Sequence, residues 1–165
     1  MALIFFEKLS NNYIELLNDE EDFNIVINVG ESPDIKYNIK TLNLNNISIQ
    51  QFEIIIKYIY GGIVLLEKHD ASFIFELMLI AYELLFDELG KQLQTHLIVK
   101  GAHWLRLHFI RIYQKSSQDN KLQDLQNWCN DIVVKYPNKI FDSEEFFTLQ
   151  ENALVSLISR DDLQM

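Results

Sequence analysis

The chain of 165 residues contains a single cysteine, Cys129. That excludes an internal disulfide framework and a cysteine-based zinc site, each of which needs several thiols at set spacings. It also fits a reducing compartment. Basic charge is scarce: 14 Lys and Arg stand against 24 Asp and Glu, a net charge of -10. No broad positive surface is then available to release counterions from a phosphate backbone, so neither nucleic acid nor anionic membrane is an expected partner. The five glycines are scattered or paired, which leaves no phosphate-cradling loop. Residues 73–86 form a long apolar run, but Glu76 and Glu83 interrupt it, and it falls short of the ~20 residues that span a bilayer. The opening Met1-Ala2-Leu3-Ile4-Phe5-Phe6 is apolar but is broken by Glu7, with no basic region or cleavage site of an export signal. It reads as the start of a helix. Asn46-Ile47-Ser48 matches the glycosylation pattern, which has no consequence without export. The expected location is intracellular, cytoplasmic or nuclear.

Groupings that carry chemistry are missing as well. The neighbouring carboxylates Glu20-Glu21 and Glu144-Glu145 would diverge on a helix and read as solvated surface or helix starts. His96, His103 and His108 do not fall at the spacing of four that lets two histidines on one helix share a zinc ion, and His69 reads as loop. Cys129, beside Trp128 in an amphipathic stretch, reads as a small buried hydrophobe rather than a reactive thiol. The one locally basic stretch carries Arg106 and Arg111 among apolar residues at helical spacing and reads as a solvated helix face. No catalytic, cofactor-binding or metal-ligating residue is assigned, no cofactor is expected, and the chain is not expected to be an enzyme.

What is present is a pattern of short elements. Apolar residues at Phe5, Phe6, Leu9, Tyr13, Ile14 and Leu17 predict an amphipathic helix over 3–17. Alternation at Phe23, Ile25, Ile27 and Val29 predicts a strand, and residues 35–44 a second one. With a short connection through Ser32-Pro33-Asp34, the two are expected to pair as an antiparallel hairpin. Ser48 with Gln51 three residues on forms a capping box for a helix with an apolar stripe of Phe52, Ile55, Ile56 and Ile59, stopped by Gly61-Gly62. Asp70 caps a helix over 71–82 that is apolar nearly all round, as the middle of a bundle requires. Further helices are predicted over 85–98, 104–113 and 122–136, with a polar loop at 116–120 and short helices after Pro137.

The segment Ile47-Ser48-Ile49-Gln50-Gln51-Phe52-Glu53-Ile54-Ile55-Ile56-Lys57-Tyr58-Ile59-Tyr60-Gly61-Gly62 resembles the BTB/POZ family, in which a strand leads into a helix ending in a Tyr-Ile-Tyr-x-Gly-like sequence. Asp22-Phe23-Asn24-Ile25-Val26-Ile27-Asn28-Val29 is similar to that family's first strand. The later helices, with Asp142-Ser143-Glu144-Glu145-Phe146, resemble the start of a BACK domain. The helical hairpin that a BTB domain carries between its second and third strands is lacking, because Asp34-Ile35-Lys36-Tyr37 runs straight into Asn38-Ile39-Lys40. The expected fold is α+β, mostly α: an incomplete BTB-like part over 1–99 with a small β-hairpin, then BACK-like helices over 100–165.

The resemblance implies a protein-protein interaction adaptor that self-associates or joins a complete BTB relative, with a cullin-RING ubiquitin ligase as a candidate assembly. The alternatives are a homotypic oligomerisation scaffold and a short form that interferes with complete relatives. Cullin binding is expected to be weak, because Lys36-Tyr37-Asn38-Ile39 stands where family members carry a hydrophobic-x-acidic motif. Loss of the hairpin is also expected to uncover apolar residues of the helices over 52–59 and 73–86. Leaving ~400 Å² of apolar surface wet forgoes on the order of 10 kcal/mol, which favours self-association.

Overall fold

The structure, a computed structural model, describes residues 2–4, 25–29, 40–44, 46–141 and 144–158. The chain forms two compact units, Met1–His69 and Asp70–Met165.

In the first unit, β1 (Ala2–Ile4) pairs antiparallel with β4 (Ile63–Leu65), Leu3 opposite Val64. The helix expected to begin at residue 3 is thus corrected at its start, and its remainder lies outside the described residues. A three-residue apolar run carries no period of its own, so only its partner strand reveals that it is extended. β2 (Ile25–Val29) and β3 (Lys40–Leu44) pair in parallel, Ile25 opposite Lys40 through Val29 opposite Leu44. This overturns the antiparallel hairpin. The expected second strand began at residue 35 and left only 30–34 as connection; the observed one begins at Lys40, so residues 30–39 separate the strands. Ten residues reach at most ~33–36 Å, about twice the ~16 Å of a five-residue parallel strand, which brings a parallel return within range. The family motif expected at 36–39 lies outside the described residues.

Helix α1 (Ile49–Gly61) opens with the predicted capping box: the Gln51 backbone N–H donates to Ser48 Oγ at 3.2 Å, and the Ser48 backbone N–H donates to Gln51 Oε1 at 2.9 Å. It closes on Gly62, whose φ of 58° lies in the left-handed region that glycine occupies at little cost. The buried face is not the expected stripe. Gln51, Ile54 and Ile55 are buried, while Ile59 is half exposed and Ile49 largely exposed. Three consecutive isoleucines, Ile54-Ile55-Ile56, let apolar spacing fit two neighbouring faces, so the pattern alone does not choose between them.

The second unit is built of helices. α2 (Ala71–Glu83) starts at Asp70, whose carboxylate accepts from the Phe73 backbone N–H at 2.8 Å. Ile74, Phe75, Leu77, Met78, Ile80, Ala81 and Tyr82 are buried, as a helix apolar nearly all round requires. The expectation that this helix lacks cover is therefore corrected. It packs on α3 (Asp87–Lys100) and α4 (Ala102–Leu107), and Phe75 lies against Trp104 with ring centroids 5.7 Å apart. α3 turns Leu89, Leu93 and Leu97 inward at steps of four.

At His108 the chain breaks between α4 and α5 (Phe109–Gln118), where a single helix was predicted. α5 also runs through the predicted polar loop as far as Gln118. The Ser116 and Ser117 hydroxyls donate to the carbonyls of Tyr113 and Gln114, each at 3.0 Å, so these hydroxyls stay satisfied without leaving the helix. A 3-10 turn (Asn120–Leu122) leads into α6 (Gln123–Lys135), whose Leu125, Cys129 and Val133 are buried. α7 (Pro137–Phe141), a 3-10 turn (Glu144–Thr148) and α8 (Glu151–Ile158) complete the described chain. The protein is mostly helical, as the sequence predicts.

Candidate protein-interaction surface

The interior of the Asp70–Met165 unit is joined by one buried amide. Gln94 on α3 is almost fully enclosed. Its Nε2 donates to Tyr82 Oη at 3.0 Å and to the Lys121 carbonyl at 3.3 Å, and its Oε1 accepts from the Leu125 backbone N–H at 2.8 Å. One side chain thus ties α2, α3 and the start of α6. Lys121 closes the same junction from outside: its ammonium donates to Asp87 at 2.7 Å and to the Tyr82 carbonyl at 3.3 Å, and it lies over the Tyr82 ring. The ring lies so near α3 that a Cβ on Gly90 would meet it at 2.6–2.8 Å. Burial raises the Tyr82 phenol above its ordinary range, against the lowering effect of the Gln94 hydrogen bond. Gln94 was not legible in the sequence, since nothing in a polar residue at one position of an amphipathic helix announces three partners on other elements.

The residues considered for chemistry are dispersed. Cys129 is fully buried, and desolvation pushes its thiol well up from the usual value, which suppresses the nucleophilic thiolate. His96 is half-buried, and its Nδ1 finds no hydrogen-bond partner among the described residues. Burial lowers its pKa, with Lys100 adding to the effect. His108 stacks on Trp104 at 4.5 Å and its Nδ1 meets the Trp104 carbonyl at 3.1 Å, while His103 is exposed and His69 lies in a loop. Among the described residues no three His, Cys, Asp or Glu side chains are grouped to hold a metal ion, and no helix is long and apolar enough to cross a membrane. The side chains of Glu144 and Glu145, and all of Glu20 and Glu21, lie outside the described residues.

The solvated face predicted for the basic stretch is observed, and it borders a groove. Arg106 and Arg111 are exposed; Arg111 pairs with Glu76 of α2 and lies over the Phe75 ring. Beyond that pair, α5 and the Thr148–Gln150 stretch enclose a groove of about 480 Å³. His108, Arg111, Gln114, Lys115 and Gln118 line it from α5 and its start, Thr148 and Gln150 line the far side, and Ile110 also contributes. Gln118 Nε2 donates to Gln150 Oε1 at 2.8 Å across one end. The α5 side could be read from the sequence, since Arg111 and Lys115, and Gln114 and Gln118, are spaced by four. Its opposite wall depends on tertiary packing. A second hollow of about 270 Å³ is lined by Arg106, Ile132, Tyr136 and Ile140.

Residues 109–165 match the family model described as BACK: BTB And C-terminal Kelch. No curated protein and no solved structure matches the chain. The match begins at Phe109, the first residue of α5, whereas the compact unit begins at Asp70, so α2, α3 and α4 pack with helices whose family signature lies wholly downstream of them. From residue 109 onward, the chain is a BACK-like segment.

Proposed function

We propose that the protein is a non-enzymatic protein-protein interaction adaptor of BTB-BACK build, with an incomplete BTB-like part over 1–99 lacking a helical hairpin, and BACK-like helices over 100–165. The observation that carries this reading is the BACK match over residues 109–165 on helices that enclose a continuous apolar interior. The BACK family belongs with BTB and Kelch modules by its own description, a context of adaptors. Attachment to a cullin-RING ubiquitin ligase is the specific assembly proposed, with contact weaker than in complete relatives because the attachment motif is altered at 36–39. Calorimetric titration of the purified chain against a cullin amino-terminal domain tests this. Weak binding, above micromolar, is expected; no detectable binding would contradict the proposed attachment, and micromolar or tighter binding would contradict the proposed weakening.

Homotypic scaffolding is a second reading, favoured by one observation. In the Met1–His69 unit, Ile49, Ile59, Tyr60 and Leu65 are 73%, 49%, 38% and 61% exposed. Large apolar side chains left exposed in one small unit are a cost in water that a second copy would reduce. Light scattering with hydrophobic-dye binding across a dilution series should show oligomers that dissociate and bind dye as they dissociate. A monodisperse monomer that binds no dye and unfolds cooperatively would remove this reading.

A further inference from the structure

We infer that the groove between α5 and the Thr148–Gln150 stretch is a docking site for an extended acidic peptide of a partner protein. The inference rests on the adaptor reading and deepens it by placing one binding surface and naming its partner's chemistry. The groove contrasts in charge with the chain as a whole. In a chain with ten more acidic than basic residues, the described residues of its lining include Arg111, Lys115 and His108 and no carboxylate. Glu76 engages Arg111 from α2. A guanidinium has five N–H donors, so that pair leaves Arg111 able to meet a second carboxylate. Lys115 is exposed. Two cationic side chains on one wall attract an acidic ligand locally, while the net negative charge of the chain disfavours loosely held polyanions elsewhere.

The amides extend the argument from charge to shape. The Gln118–Gln150 hydrogen bond uses one amide nitrogen and one amide oxygen, which leaves Gln118 Oε1 and Gln150 Nε2 to accept from and donate to a peptide backbone. A ligand that places carboxylates near Arg111 and Lys115 and a backbone along Gln118 and Gln150 satisfies both sets at once. The volume, about 480 Å³, falls within the ~300–1,000 Å³ of ordinary ligand sites.

The test uses the full chain and a fluorescein-labelled twelve-residue probe of repeated Asp-Ala-Glu-Ala, with a Lys-Ala-Arg-Ala probe of equal length and a single-stranded oligonucleotide as comparisons. Anisotropy should show binding of the acidic probe alone, and amide chemical shifts of the isotope-labelled chain should move at Lys115, Gln118 and Gln150. K115E should weaken binding by about tenfold or more, and Q118A/Q150A should weaken it with the fold unchanged by circular dichroism. Absence of acidic-probe binding, shifts confined to other residues, indifference to K115E, or tighter binding of the oligonucleotide would each overturn the inference. Capture of cellular proteins by the wild-type chain and by K115E separates the two levels: an identical partner set leaves the adaptor reading standing and removes the groove, whereas no partner for either removes the adaptor reading itself.

Discussion

Replacing Gln94 by leucine would preserve volume at the centre of the larger unit, yet it would strip a hydrogen bond from Leu125 N–H, from the Lys121 carbonyl and from Tyr82 Oη. Leaving a buried backbone donor unsatisfied dominates the loss, and Gln94→Leu should cost about 2–4 kcal/mol in urea denaturation. Gly90→Ala should cost about 1–3 kcal/mol by forcing a Cβ into the Tyr82 ring. In a Tyr82→Ala background that penalty should shrink, and a double-mutant cycle measures the difference. His96 gives a pH dependence of known sign. Its folded pKa is lowered from the ordinary 6.5, first by burial, so the unfolded chain binds a proton more readily. The stability it contributes is complete above about pH 6.5 and is lost as pH falls from there through the folded-state value. Thermal melts between pH 7.5 and 5 should decline less for His96→Gln than for the wild type.

The turn between α2 and α3 contains a different kind of test. Leu85 has φ 64° and is 76% exposed, so it bears the left-handed strain of ~1–2 kcal/mol with little burial in return. Leu85→Gly removes the strain but adds ~0.4–1 kcal/mol of unfolded-chain entropy. A net gain of up to ~1.5 kcal/mol should appear as a raised denaturation midpoint. Turns and caps were the elements most legible in the sequence, because their chemistry is local: Ser48 with Gln51, Gly62 and Asp70 all act within three or four residues. β1 and β4 were not legible, since three apolar residues have no measurable period and their pairing partner is some sixty residues away. The direction of the β2–β3 ladder was misread for a related reason, as starting the second strand five residues early made the connection too short for a parallel return. On the surface, Arg106 and Arg111 read as a solvated helix face from the helical spacing of the apolar residues around them, while the groove needed a wall that only packing supplies.

At the scale of the whole molecule, physical units and family segments do not coincide. α2 and α3 fall in the BTB-like part proposed for residues 1–99, but they pack in the same compact unit as the BACK-like helices, with Gln94 and Lys121 as the polar joints. Limited proteolysis should therefore cleave near His69 and Asp70 before it cleaves near Gly101, where a Cβ would already meet Leu97 O at 2.9 Å. Early cleavage at Gly101 would contradict the continuity of this unit. Function at this scale depends on whether the assembled surfaces hold other proteins. The most direct measurement is affinity capture of the tagged full chain from cells after mild crosslinking, quantified by mass spectrometry against the tag alone. The expected result is a reproducible protein set at near-stoichiometric recovery, containing further copies of the chain, a longer relative or a cullin. A chain that melts cooperatively, and so is folded, yet retains no protein above the tag control would contradict the adaptor reading.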